Sequence, residues 1–298
     1  MKLLVIGSSG QLGWEICRQG KERKLEIIPF DIPEIDITDR DSLIDTLTPL
    51  CFDVLVNCSA YTAVDKAESD QVTAYAVNRD GPGYLAEICS ERNIPIIHVS
   101  TDYVFSGETD SCNMETDLVE PKGVYGRSKA EGEARVRDIA GKHLIIRTSW
   151  LYGVHGNNFV KTMLRLGRER EELKVVADQH GCPTFAADLA EAIMDIISLY
   201  NKNGDIAWGT YHFCGSGSTT WYGFASKIFE IAGAFENLKV KKVTPIETSE
   251  YPTPAERPKN SIMDCSMLRG CFNINPPEWE KSLEQMMERY YRQLTENR

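Results

Sequence analysis

The chain has 298 residues, 42% of them hydrophobic, enough to bury one large domain or two unequal ones and too apolar for a disordered protein. Its formal net charge of −11 is spread along its length, so no uniformly basic face exists to displace counterions from nucleic acid or to hold an anionic membrane. An anionic ligand must instead be met by local Arg, Lys or backbone N–H groups working against the net field. No stretch stays apolar for about 18 residues, and MKLLVIGSSG runs straight into a strand without a cleavable leader; the expectation is a cytoplasmic protein. Nine cysteines are scattered without a CxxC pair, which speaks against a zinc ribbon or a dithiol centre and for reduced thiols, mostly core filling.

Taken in chain order, short apolar runs at 3–6, 26–30, 54–57, 95–100 and 143–149 predict strands buried on both faces. The segments between them, 11–23, 39–50, 64–92 and 123–140, are rich in Ala, Glu, Arg and Leu and predict helices, the second capped by Thr38 or Asp39. Repeated strand–helix alternation makes a doubly wound parallel sheet the economical α/β fold, with a Rossmann-type domain over 1–150. After Trp150 the rhythm breaks into a helix at 157–170, a strand at 173–177, a helix at 186–200, a strand at 210–214 and a helix at 221–234. A proline-rich stretch follows, then an amphipathic helix at 278–294. Residues 151–298 are expected to form mainly a smaller α/β substrate-binding domain, with 185–215 returning to the main sheet.

Gly7-Ser-Ser-Gly10-Gln11-Leu12-Gly13 follows the first strand and opens the first helix. Glycines there allow a tight turn, close approach of backbone to a pyrophosphate and close helix-to-strand packing, while the helix N-terminus supplies partial positive charge. The spacing is GxxGxxG, and an ordinary turn would also use glycines; the strand before and the helix after favour dinucleotide binding. Asp31 ends the second strand about twenty residues further on, where a carboxylate binds an adenosine ribose and favours NAD. Arg18, Lys21, Arg23 and Lys24 lie close in sequence as receivers for a 2′-phosphate, so NADH and NADPH both stay open.

Tyr125-Gly-Arg-Ser-Lys129 begins the fourth helix, and the four-residue spacing puts phenol and ammonium on one face. A cation beside a tyrosine stabilises its phenolate, so Tyr125 can protonate the alkoxide that develops when a carbonyl accepts a hydride. Thr101, at the carboxyl end of the fourth strand, can donate to the same oxygen. A YxxxK pair alone is common on helix surfaces, and a Ser-Thr-Asp run commonly makes only a turn; their order after a glycine loop gives them weight.

Through GSSGQLG, VSTDYVFSG and YGRSKAEGE in that order, the chain resembles the extended short-chain dehydrogenase/reductases. Further blocks, DVLVNCSAYTAVDKAE (53–68), YAVN (75–78), RTSWLYG (147–153), DQHGCPT (178–184) and RPKNSIMD (257–264), make it similar, over nearly its whole length, to those that act on dTDP-activated sugars. The resemblance implies NADPH- or NADH-dependent reduction of the 4-keto group of dTDP-4-dehydro-L-rhamnose, giving dTDP-L-rhamnose for cell-surface polysaccharide. It implies Thr101, Tyr125 and Lys129 as the catalytic trio. It places Ser59, Ala60 and Tyr61 along the cofactor, Asn78 near the nicotinamide, and Asp36 and Ile37 at the adenine. Tyr103 and Trp150 match substrate-pocket residues, and Arg257 with Asn260 the segment nearest the nucleotide-sugar. Cys58 and Ser59 stand where such proteins usually carry alanines, a change expected to be tolerated. Arg257 and Lys259 also form a basic pair suited to a diphosphate.

Some members form metal-dependent homodimers through glutamates on the first and last helices. Glu15 matches the first, while Asp188 or Glu191 and Glu284 or Glu288 compete for the others, so Mg2+ is no more than an option. Two rival readings share these motifs. A nucleotide-sugar epimerase or dehydratase keeps the loop, Tyr and Lys, but a dehydratase adds an acidic pair beside the threonine, and Asp102 is a single acid. A non-catalytic regulatory subunit would not require Thr101, Tyr125 and Lys129 together.

Overall fold

Alternate side chains of a strand point to opposite faces, so an apolar run without alternation must be covered on both sides. The chain's structure, a computed structural model, describes residues 1–296 and bears this out for four of the five runs. It opens with β1 (Lys2–Ile6), α1 (Gln11–Glu22), β2 (Glu26–Phe30), α2 (Arg40–Leu47), β3 (Val54–Asn57), the short α3 (Val64–Ala67) and α4 (Gln71–Tyr75), and α5 (Gly81–Glu91). β4 (Ile96–Thr101), α6 (Val124–Ile139) and β5 (His143–Thr148) follow. Next come β6 (Leu151–Tyr152), α7 (Phe159–Glu169), β7 (Glu172–Val176), β8 (His180–Gly181), β9 (Thr184–Phe185), α8 (Ala186–Asn203) and β10 (Gly209–His212). The chain finishes through β11 (Thr219–Thr220), α9 (Trp221–Ala232), β12 (Lys242–Ile246), β13 (Asn260–Ser261), α10 (Ser266–Phe272) and α11 (Trp279–Glu296).

Six strands form one parallel sheet in the order β2-β1-β3-β4-β5-β10. Leu3 and Val5 pack with Leu12 and Ile16 of α1 and with Leu189 and Ile193 of α8. Leu4 and Ile6 face the other way, onto Leu43 and Leu47 of α2, Leu85 of α5 and Val136 of α6. Each such side chain contributes about 1.5–3 kcal/mol by leaving water, which is what holds the three layers together. The winding reverses between β1 and β3, so a crevice opens at their carboxyl ends.

β2 departs from the expectation. It is the edge strand, its residues are exposed or half-buried with none fully buried, and only one flank is paired. The expected single helix at 64–92 is instead broken into α3, α4, a π turn at Ala76–Asp80 and α5. The π turn forms where α6 presses on it: a Cβ on Gly132 would lie 2.0 Å from the carbonyl oxygen of Asn78. Asp39, not Thr38, caps α2, accepting from the Ser42 N–H at 3.1 Å, while Thr38 donates to Asp36.

In the second half, α8 returns to the sheet face under α1, and β10 adds to β5. A separate core of Val160 and Leu164 from α7, Phe224 and Ile228 from α9, and Leu283 and Met287 from α11 supports the remaining elements. β12 was hidden from sequence reading by Pro245. It pairs only with β7, and a strand with one free flank tolerates proline. The cysteines are all free, but Cys51, Cys112 and Cys271 are exposed, so core filling describes only part of the set. Among the described residues no helix is long and apolar enough to cross a membrane.

Since backbone, not a flexible side chain, occupies the space beside Gly132, Gly132→Ala is expected to destabilise the protein by roughly 1–3 kcal/mol. Urea titration should show a lower midpoint at unchanged slope; an unaltered midpoint would show that the helix–π-turn contact yields freely.

Candidate active site

A cleft of about 620 Å³ opens over the carboxyl ends of the central strands. Its walls bring together Gly7, Gly10, Gln11, Leu12, Asp31, Asp36, Ile37, Ser59, Ala60, Thr101, Tyr103, Tyr125, Lys129 and Trp150, so most of the residues singled out from the sequence share one space.

Three glycines do three different things. Gly7 has φ +80° and a Cβ there would meet the Ser59 backbone nitrogen at 2.6 Å. A Cβ on Gly13 would lie 2.1 Å from the Gly7 carbonyl oxygen, which seats α1 against the loop without reaching the cleft. At Gly10 the nearest atom to such a Cβ is 3.4 Å away, and the residue faces the open space. Gly10 caps α1 without any side-chain hydrogen bond, leaving first-turn N–H groups for an anion. This cradle fits a dinucleotide pyrophosphate.

Asp31 accepts from the Ser9 N–H at 2.8 Å and the Ser9 hydroxyl at 2.5 Å. Burial pushes its carboxyl up, but the bonds from Ser9 and Ile32 outweigh that and hold it below the usual carboxylate range. The basic residues of α1 do not join it. Arg18 is paired with Glu15 and Glu22, Arg23 with Asp195, and none of Arg18, Lys21, Arg23 or Lys24 lines the cleft. Among the described residues Lys129 is the one Lys or Arg in its walls, and Asp31 and Asp36 stand on the glycine-loop side without a cation.

Tyr125 sits in the first turn of α6. Gly126 beside it lets the helix abut the 3₁₀ turn at Asp102–Val104, since a Cβ there would lie 2.2 Å from the Tyr103 carbonyl oxygen. Burial pushes the Tyr125 phenol up to about 12, the Thr101 hydroxyl opposing this only when its proton is turned to the phenol, and Asp102 pushing it further. Lys129 is 1% exposed, and burial drives its amine down to about 8 against the opposing pull of Glu133 and Cys58. Its Nζ donates to the Val99 carbonyl at 2.6 Å and lies 3.3 Å from His98 Nε2. The expected direct relief of Tyr125 by Lys129 is thus absent in this conformation, because the amine is turned to β4.

Asp102 is a buried acid beside the site. Its Oδ1 accepts from the Thr101 hydroxyl at 3.0 Å, its Oδ2 has no partner, and burial raises its carboxyl to about 6. The ionised carboxylate therefore holds the only hydroxyl proton of Thr101, and protonation of Asp102 frees it. Tyr103 sets its ring edge on Tyr125, with centroids 5.4 Å apart. Trp150 has φ +47°, a strained conformation for a bulky residue. It is held there by stacking on Trp221 at 3.6 Å and by the space beside Gly181, where a Cβ would lie 2.4 Å from the indole.

Several expected ligand contacts are committed elsewhere. Asn78 is fully buried, accepts from the Tyr61 N–H at 2.8 Å and donates to Ser128 Oγ at 3.0 Å, so it clamps the segment after β3 to α6 and does not face the cleft. The Tyr61 hydroxyl points away to Asp70. Arg257 makes a bidentate pair with Asp65 at 2.8 and 2.7 Å, which neutralises the charge expected for a diphosphate. Asn260 spends its amide on the carbonyls of Thr109 and Ser111 and on the Ile262 N–H. Glu15 is buried against Arg18, Asp188 accepts from Ser282, and among the described residues no three Cys, His, Asp or Glu side chains are placed to hold a metal. The donors present do not fit a metal site within one chain.

Sequence reading missed the loop before α7. Gly156 and Asn157 line the cleft, His155 stacks on Trp14 with centroids 5.2 Å apart, and Asn158 donates to Gln11 Oε1 at 2.9 Å. The HGNN run at 155–158 carries a turn signal, but the helix expected over 157–170 takes in its last two residues.

The model of the RmlD substrate binding domain family matches residues 1–292. A protein named dTDP-4-dehydrorhamnose reductase from Aggregatibacter actinomycetemcomitans is 43% identical over 288 residues, covering 95% of this chain and 97% of that protein. A crystal structure of a dTDP-4-dehydrorhamnose reductase from Clostridium acetobutylicum is similar at TM-score 0.90 and 42% identity, covering 97% of this chain and 99% of that one. Another from Bacillus anthracis, in complex with NADP, is similar at TM-score 0.89 and 39% identity over the same shares.

The raised Asp102 carboxyl has a consequence for stability. An unfolded aspartate titrates near about 3.9, so the native state binds this proton more tightly, and its contribution is full below that pH and lost as pH rises through about 6. The stability of the wild type relative to Asp102→Asn should therefore fall between about pH 4 and about pH 6. Thermal melts across that range check it; a constant difference would mean that Asp102 titrates normally.

Proposed function

The chain belongs to the RmlD substrate-binding domain family, and from that premise we propose that it reduces the 4-keto group of dTDP-4-dehydro-L-rhamnose with NADPH or NADH, giving dTDP-L-rhamnose. It is an NAD(P)H-dependent oxidoreductase whose relatives carry that reaction in their names. The observation that carries the reading is the meeting of Tyr125, Lys129 and Thr101 in the same cleft as the glycine cradle.

When bound, the nicotinamide supplies the hydride. The chain's own task is the oxygen that becomes negative. Tyr125 gives its phenolic proton to that oxygen, and the high proton affinity of the buried phenol keeps it in the donating form through the neutral range. Thr101 supplies a second donor once its hydroxyl turns from Asp102. Lys129 compensates the phenolate left on Tyr125, which requires its amine to swing from Val99 toward the phenol. Gly7 and Gly10 admit the pyrophosphate while Gly13 seats α1 behind them, Asp31 takes the adenosine ribose, and Tyr103 and Trp150 flank the sugar. Arg257 reaches the substrate diphosphate only by sharing or releasing Asp65.

In this reading 1–150 with 185–215 forms the cofactor domain and the rest of 151–298 the substrate domain. A cytoplasmic compartment and a homodimer belong to it as well.

Tyr125→Phe should keep cofactor affinity and lower kcat by at least about 100-fold in NAD(P)H oxidation with the dTDP-4-keto sugar, the scale for losing a positioned general acid. A near-wild-type kcat would remove Tyr125 from the mechanism. Asp31 also predicts cofactor choice, because its carboxylate repels a 2′-phosphate with no cation to offset it. Asp31→Asn should shift the ratio of NADPH to NADH affinity toward NADPH by at least about tenfold in calorimetric titrations. An unchanged ratio would place the ribose elsewhere.

A further inference from the structure

Beneath the cleft lies a chain of three buried polar side chains, Asn57 at the end of β3, His98 in β4 and Lys129 in α6, exposed to 0%, 0% and 1%. Its hydrogen-bond directions follow from one fixed point. Asn57 Oδ1 accepts from the backbone N–H of Ser59 at 3.1 Å and from the Ser59 hydroxyl at 2.5 Å. A backbone N–H can only donate, so the oxygen of the amide faces Ser59 and the NH₂ group faces His98 Nδ1 at 3.1 Å. His98 Nδ1 is then the acceptor, and the proton of the neutral imidazole sits on Nε2. That N–H points at Lys129 Nζ, 3.3 Å away. An ammonium has no lone pair to receive it; a neutral amine does, while still donating to the Val99 carbonyl at 2.6 Å.

We propose that His98, orientated by Asn57, is a positioning residue that presents Nε2–H to Lys129 and so favours the neutral amine whenever the lysine is withdrawn onto β4. Catalysis then requires the lysine to take up a proton as it turns to the cleft, and the Asn57–His98 pair sets the pH at which it does so. This inference rests on the catalytic role proposed for Lys129. Burial alone drives the proton affinity of His98 well below its ordinary value, and any positive charge on Lys129 lowers it further, so the imidazole stays neutral and keeps the tautomer that Asn57 selects. The other titratable and charged groups around Lys129 act against the neutral amine. Glu133 on α6, itself held by Arg147 of β5 at 2.9 and 2.7 Å, raises the proton affinity of the amine. An ionised Cys58 would do the same although burial keeps that thiol protonated, and Tyr125 and Asp102 belong to the cleft side.

Asn57→Asp separates the cases. A carboxylate keeps the Ser59 bonds through one oxygen and accepts from Nδ1–H through the other, which turns Nε2 into a lone pair that holds the ammonium. A lysine is charged below its pKa and neutral above it, so wild-type kcat should fall as pH rises through the region near 8 set by the buried amine. In Asn57→Asp that alkaline limb should move up by about one pH unit or more, the scale of one charge or charge-assisted bond. Nitrogen-15 NMR of the histidine ring in the wild-type chain gives the second readout, and should show the Nε2–H tautomer throughout the neutral range. The Nδ1–H tautomer, or an unmoved limb in an Asn57→Asp protein whose melting temperature shows it folded, would overturn the proposal. Retention of kcat by Lys129→Met would instead sink the catalytic role of Lys129 and leave the tautomer result standing.

Discussion

A lysine amine cannot be taken out of water without groups to receive its protons, and Lys129 is buried in the walls of the cleft it serves. Much of the surrounding architecture answers that constraint. α6 must come close enough to β4 for the amine to reach the Val99 carbonyl and His98, and it does so because Gly126 and Gly132 present no Cβ to the turns they press on. Gly132 packs directly on the π turn at Ala76–Asp80, the π turn presents Asn78, and Asn78 ties the segment after β3 to Ser128 of α6. The phenol of Tyr125 is positioned by that stack.

Electrostatics within the cleft follow from its scarcity of positive charge. In a chain of net charge −11, Lys129 is the one Lys or Arg among the described residues of the walls, and Arg257 is already matched by Asp65. Anion recognition at the cofactor end therefore falls to backbone N–H groups at the start of α1, which carry no counter-charge to be neutralised. The carboxyls of Asp31 and Asp102 sit on opposite sides of their ordinary range, one lowered by hydrogen bonds and one raised by burial. The same residue type thus serves as a fixed anion in one place and a titratable partner of Thr101 in the other.

What could be read from the sequence was what local pattern encodes. The runs at β1, β3, β4 and β5 were legible because burial on both faces suppresses polar alternation, and the glycine loop because a strand, three glycines and a helix stand in order. Tertiary approach was not legible. Nothing at 64–92 announces that Gly132 will open a π turn there, and the partner of Arg257 lies 192 residues away. Asn78 and Asn260, expected beside the cofactor and the nucleotide-sugar, line no part of the cleft; their amides bond backbone groups and, for Asn78, Ser128 Oγ, since a buried amide satisfies itself with the closest donors and acceptors. His98 drew no attention as one polar residue in an apolar strand, although it lies between Asn57 and Lys129.

The central claim is that a hydride from the cofactor reaches the keto carbon of the sugar while the proton on oxygen comes through Tyr125. Turnover of the dTDP-4-keto sugar with NADPH deuterated at the transferring position tests it most directly, with the product examined by mass spectrometry and NMR. The account predicts one deuterium bound to C4 of the sugar for each cofactor oxidised, and no carbon-bound hydrogen taken from solvent at that position. Product formed without cofactor consumption, or with solvent hydrogen at C4, would contradict it and point to the internal hydride return of an epimerase or to proton chemistry at carbon.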